Sequence, residues 1–143
     1  MNDGGQSPTR HRIVNPESLV APSGYSHAVV AESGRTIYLA GQTAHVQGEE
    51  TPDDVVEQFD RAARKVVIAL EAAGGMPEDL VSVQIFTTDL ENYLSKSKAI
   101  GVAYQKHFGK HYPAAALLEV KGLVGGAKVE LSCIAVVPAK NDS

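Results

Sequence analysis

The two segments nearest the C-terminus, Ala114 to Val120 and Ala127 to Val137, constrain the fold more than any other part of the chain. Both read as strands, and both are apolar on each alternating face. In Ala114-Ala115-Ala116-Leu117-Leu118 neither face carries a polar residue, and in the final strand Val129, Leu131, Cys133 and Val137 oppose Ile134 and Val136. Helices packed on one side of a sheet cover only one such face. The other face needs its own cover, and a second copy of the chain is the simplest candidate. A monomer that folds loops over its strands is the alternative.

Two periods alternate upstream of these strands. His27 to Ala31 and Thr36 to Ala40 read as strands around a Ser33-Gly34-Arg35 turn, which predicts an antiparallel hairpin. Thr51-Pro52-Asp53-Asp54 opens a helix, with Thr51 as cap, Pro52 in the first turn and acids at the positive end. Val55, Phe59, Ala62, Val66, Ala69, Leu70 and Ala73 then recur at the helical period until Gly74-Gly75 stops it. Leu80 to Thr87 is a β-branched strand. Asp89 caps a second helix with Tyr93, Ser97, Ile100, Tyr104 and Phe108 on one stripe, ended by Gly109. The predicted order is ββαβαββ, an α+β fold.

A chain of 143 residues suits one domain with its own core. Residues 1–12 are polar and read as a flexible tail, as do residues 139–143, leaving 13–138 as the folded unit. The formal net charge of −4 argues against a broad grip on phosphate backbones, so nucleic acid is not an expected partner. The one cysteine, Cys133, excludes an intramolecular disulfide. No apolar run reaches the roughly 18–20 residues of a membrane span, and the start lacks the apolar centre of a secretory signal. A cytoplasmic location without membrane contact is the expectation.

Among polar residues, Glu130 stands out, set in the apolar final strand on the face of Ser132, Ile134 and Val136. A buried carboxylate there needs hydrogen bonds, a cation or a proton; a strand-end glutamate reaching water is the plain alternative. Gly41, in Ala40-Gly41-Gln42, allows close approach of a ligand or marks a β-bulge. Tyr25 offers a phenol on a loop or simply packs there. His107 and His111 have metal-chelating spacing, but Gly109 breaks the helix between them, so no metal site is expected. The Gly122 to Gly126 connection lacks the lysine and helix of a phosphate-binding loop. Cys133 reads as an inert core thiol. No motif requires a cofactor.

These pieces together resemble the Rid family, also called the YjgF or L-PSP endoribonuclease family. The resemblance runs through Pro22-Ser23-Gly24-Tyr25-Ser26, Ile37-Tyr38-Leu39-Ala40-Gly41-Gln42, Glu57-Gln58, Leu70-Glu71-Ala72-Ala73-Gly74, Tyr104 to Gly109, Tyr112-Pro113-Ala114 and Val129-Glu130-Leu131. It implies a chorismate-mutase-like sheet with two helices on one face, in a homotrimer whose sheets form a barrel-like core. It also implies a small-molecule cleft between subunits, lined by Tyr25, Ala40, Gly41, Gln42, Ala115 and Leu117, with Glu130 in the catalytic position. The best-known members deaminate enamines and imines such as 2-aminoacrylate, and clamp the substrate carboxylate with an arginine after the Pro-Ala pair. Here Ala115 follows Pro113-Ala114, and Gly101 stands where those enzymes commonly carry an asparagine. Four readings remain open: a hydrolase or deaminase with a different, less anionic substrate, a non-catalytic metabolite-binding trimer, a deaminase using another cation, and an endoribonuclease.

Overall fold

The protein is described here by a computed structural model covering residues 8–140. Strands β1 (Arg12–Val14), β2 (Ala28–Val30) and β3 (Gly34–Tyr38) lead into helix α1 (Val55–Ala72). Strand β4 (Leu80–Thr87), helices α2 (Leu90–Ser95) and α3 (Ser97–Phe108), and strands β5 (Ala114–Glu119) and β6 (Val129–Pro138) complete the chain. The main sheet has the order β3-β6-β4-β5, with β4 and β5 parallel and the other neighbours antiparallel. The α+β expectation is met, and the observed order is βββαβααββ.

The helices cover one face. Phe59, Ala62, Val66 and Leu70 of α1, Tyr93 of α2, and Ile100, Tyr104 and Phe108 of α3 form one core with Val83, Val129, Leu131, Cys133 and Ala135. Asp54, rather than Thr51, caps α1 by accepting from the Glu57 amide at 3.0 Å. The helix ends where its periodicity ends, because Gly74 takes a left-handed φ of 93° that suits a residue without a Cβ. Gln58, buried on α1, donates to Pro52 O and accepts from the Lys128 amide, tying the helix entry to the start of β6.

Three expectations need correction. The hairpin does not form: β2 pairs with β1 in a separate two-stranded sheet, while β3 pairs with β6. The turn expected at residues 33–35 is strand from Gly34 onward, and a Cβ on Gly34 would run into the Val137 backbone. The second helix is two. The Lys96 amide turns back to Tyr93 O, tightening the turn, and α3 restarts with Ile100 N bonded to Lys96 O. Residues 1–7 of the expected N-terminal tail and 141–143 of the C-terminal one lie outside the described residues, but Arg10 to Arg12 belong to the fold. Arg10 reaches Pro138 O at 3.0 Å, and Arg12 pairs with Val30. His11 is buried, with Nε2 at 2.8 Å from Val136 O and Nδ1 accepting from the Glu32 amide at 3.0 Å. Those two bonds select the neutral tautomer with its proton on Nε2. Among the described residues no helix is long and apolar enough to cross a membrane.

Candidate functional site

Cross-strand pairing sorts the expected site residues into two groups. Ala115 lies opposite Val83 and Leu117 opposite Ile85, on the helix side of the sheet. Phe86 lies between Glu130 and Leu118, on the open side, because directly opposed residues share a face. The sheet therefore stands between Ala115 and Glu130.

On the helix side, β4, β5, α2, α3 and the Ser23–Tyr25 loop enclose a cavity of about 830 Å³. Tyr25, Ala115 and Leu117 line it together. The loop is held by Ser26, whose amide donates to Pro113 O at 3.1 Å and whose hydroxyl donates to Tyr112 O. Gly24 makes the turn at a φ of 77°. Gly101 also lines the cavity, with open space beside its Cα.

Ala40, Gly41, Gln42 and Glu130 do not line this cavity. Leu39 N bonds Cys133 O and Gln42 exchanges both backbone bonds with Leu131, so Ala40 and Gly41 together oppose Ser132. That extra residue is a β-bulge. Its turn brings Gly41 against the Glu130 side chain so closely that a Cβ would overlap Oε1 and lie 3.0 Å from Cδ. The bulge reading of Gly41 holds. The body it approaches in this chain is Glu130, itself half-buried.

Several cavity residues carry no signal in the sequence. Tyr93, read as core, is indeed only 6% exposed, yet it lines the cavity, and burial pushes its phenol up to about 12. Tyr112 stacks on Tyr104 with ring centroids 5.3 Å apart and accepts a hydrogen bond from Gln105 at 2.6 Å. Lys98, in the first turn of α3, also lines the wall. The two histidines diverge: His107 pairs with Asp60 at 2.9 Å, and His111 donates through Nε2 to Leu80 O at 2.7 Å. Burial, with His11 nearby, holds His111 below the usual histidine range against the pull of the Leu80 carbonyl. Cys133 is buried, and burial raises its thiol to about 12, as befits an unreactive core group.

Known proteins share both sequence and fold. A family described as Endoribonuclease L-PSP matches residues 16–137. A goat (Capra hircus) protein named 2-iminobutanoate/2-iminopropanoate deaminase is 31% identical over 128 residues, covering 87% of this chain and 89% of the relative. A solved Rid-family structure from Yersinia pestis, of unknown function, superimposes with a TM-score of 0.78 at 27% identity, covering 89% of this chain and 98% of its own. RidA from an Antarctic Psychrobacter gives a TM-score of 0.63 at 26% identity, covering 87% and 98%. With nearly the whole folded unit matched in sequence and in backbone, the chain belongs to the Rid (YjgF, L-PSP endoribonuclease) family.

Proposed function

We propose that the protein is a homotrimer that binds or turns over a small metabolite in a cleft between copies. In this reading the helix-side cavity of one copy faces the Gly41–Glu130 corner of the next. The supporting observation is the sheet, which holds Tyr25, Ala115 and Leu117 on one side and Glu130 on the other. A single chain presents the two groups to different spaces. A neighbour that covers the open face supplies the missing half and also buries that apolar surface.

The chemistry that fits is hydrolytic deamination of an enamine or imine, as in the goat relative's name. For an imine, water adds to the carbon of the C=N bond while Glu130 accepts a proton from it and returns one to the nitrogen. The carbon–nitrogen bond then breaks, leaving a carbonyl compound and ammonia. Ala115 offers no charge to a substrate carboxylate, so 2-aminoacrylate is expected to be a poor substrate. The same uncharged position favours, as the second reading, a trimer that binds metabolites without turning them over. One lysine on the cavity wall is too little positive surface for a phosphate backbone, which counts against the ribonuclease reading.

Three measurements test the proposal. Light scattering coupled to size exclusion at micromolar concentration is expected to give a trimer mass; a monomer mass removes the shared cleft. In a coupled assay that generates 2-aminoacrylate from serine, loss of a buried cationic clamp costs about 3–5 kcal/mol, roughly two to four orders of magnitude in rate. Turnover equal to that of an arginine-bearing relative contradicts the altered chemistry. In a thermal-shift panel of metabolites, hits should separate the wild type from Glu130→Gln. A panel that shifts neither protein refutes the cleft as a ligand site.

A further inference from the structure

Two residues before Glu130, the peptide of Lys128 is held from several directions at once. The Lys128 amide donates to Gln58 Oε1 at 2.9 Å, and the Lys128 carbonyl accepts from the Thr87 hydroxyl at 2.9 Å and the Thr88 amide at 3.2 Å. The Lys128 ammonium donates to Asp53 O at 2.7 Å and lies 3.1 Å from the Asp53 carboxylate. Gln58 is only 3% exposed and Thr87 fully buried. Gln58 Nε2 donates to Pro52 O at 2.8 Å. One partner of this amide can only donate and the other can only accept, so together they fix which way it points.

Joining α1 to the sheet does not require this polarity. Asp54 already caps the helix, and Val55, Phe59 and Ala62 around Gln58 enter the core through apolar contact. An apolar residue at position 58 would avoid the desolvation that a buried amide suffers, but it could not bond the Lys128 peptide. That peptide needs holding. The chain reaches it through the glycine-rich connection from Gly122 to Gly126, whose Val124 is 92% exposed. Strand β6 is also only half-paired where it begins. Phe86 of β4 lies opposite Glu130 on one side, while on the other side pairing among the described residues reaches only to Leu131, bonded to Gln42. Yet the Glu130 carboxylate stands so close to Gly41 that a Cβ has no room between them. A displacement of the Lys128 peptide reaches that contact directly.

We infer that Gln58, together with Thr87, is a positioning residue for Glu130. The two side chains fix the Lys128 peptide, and through the short stretch of strand that follows they set where the Glu130 carboxylate stands beside Gly41. The inference rests on the proposed role of Glu130 and assigns that role a support outside the cleft. Gln58 acts through the backbone and not on a ligand. It belongs to the helix that covers one face of the sheet, whereas Glu130 serves the other, so the entry of α1 is coupled to the opposite face.

The test reads the Gly41 amide by nitrogen–proton NMR on the full-length protein. Gln58→Met keeps the volume and removes both side-chain bonds, and Thr87→Val keeps the shape and removes the hydroxyl. Each should displace the Gly41 resonance in the direction that Glu130→Ala displaces it. Gln58→Met should also speed exchange of the Lys128 amide by about tenfold, the loss of one hydrogen bond. Thr87→Ser, which keeps the hydroxyl, should leave Gly41 at its wild-type position. In a Glu130→Ala background no carboxylate stands beside Gly41, so adding Gln58→Met should no longer move the resonance. A general loss of stability has no such dependence on Glu130. If Gln58→Met does not fold, Thr87→Val and Thr87→Ser make the same comparison. A Gly41 resonance that neither variant moves, or that moves equally with and without the Glu130 side chain, overturns the inference. No ligand takes part, so that result leaves the cleft as a ligand site untouched. A metabolite panel that never separates Glu130→Gln from the wild type removes instead the role that Gln58 supports.

Discussion

The two faces of the main sheet are built from the same few residue types and end in opposite conditions. Under the helices, Val129, Leu131 and Ala135 are wholly buried and touch one continuous core. On the other face, Tyr38 is 78% exposed and Leu118 41%, with Ser132, Gln84 and Glu130 between the apolar positions. Alternation alone does not separate a face that packs within the chain from one that packs against something else. The difference lies in what the chain has left to cover it, and all three helices are spent on one side.

The largest effect should come from the covered face. Leu131→Ala removes a fully buried side chain, and such truncations cost about 2–5 kcal/mol. Urea denaturation should show that loss. Leu118→Asp, on the open face, should barely change the unfolding of a separate chain while converting the proposed trimer to monomers by light scattering. If Leu118→Asp unfolds the protein as severely as Leu131→Ala, the two faces are not distinct in the way described.

Acid probes the junction of the sheet with the turn before β4. The folded state holds His111 below the histidine value of about 6.5, so it binds fewer protons than the unfolded chain. Its contribution is fully present above about pH 6.5 and declines as the pH falls, by up to about 1.4 kcal/mol per unit, until the folded value is passed. Urea midpoints from pH 7.5 to 5 should fall accordingly. His111→Gln, which keeps a donor for the Leu80 carbonyl, should flatten the slope. An unchanged slope would place the acid sensitivity elsewhere.

A smaller effect is expected at the corner that joins the faces. Gly41→Ala forces the Glu130 carboxylate to rotate, at about 1 kcal/mol, because overpacking against the end of a flexible side chain is partly relieved. The double variant with Glu130→Ala should recover that loss. Additive costs would mean that the two residues do not touch in solution.

Much of this architecture is written locally in the sequence. The stripe from Val55 to Leu70, Gly74 as its end, Asp89 as a cap and the β-branched run of β4 each follow from contacts within a few residues. What escapes is decided at a distance. Arg12–Val14 is a strand only because Ala28–Val30 pairs with it, and the expected hairpin fails because Gly34 must lie flat against Val137. The helix break at Lys96 follows a polar run that reads equally well as one exposed helix, so the positions of Lys98 and Tyr93 on a cavity wall were hidden. Tyr25, Ala115 and Leu117 line one cavity of the chain, whereas Gly41 and Glu130 meet each other on the far side.

The bulge at Ala40–Gly41 acts as a phase shift along the strand. Before it, the odd-numbered Ile37 and Leu39 face the helices; after it, Gln42 opposite Leu131 and the buried Ala44 do. Length at this point is therefore more constrained than chemistry. A substitution at position 40 alters one exposed side chain, whereas deleting that residue turns the following segment by half a strand repeat. The deletion would point Ala44 outward and pull Thr43 and Ala44 from the carbonyl contacts that Lys65 and Arg61 of α1 make with them. In this chain, losing one residue between positions 39 and 42 would therefore displace the Gly41–Glu130 corner even with every flanking residue kept.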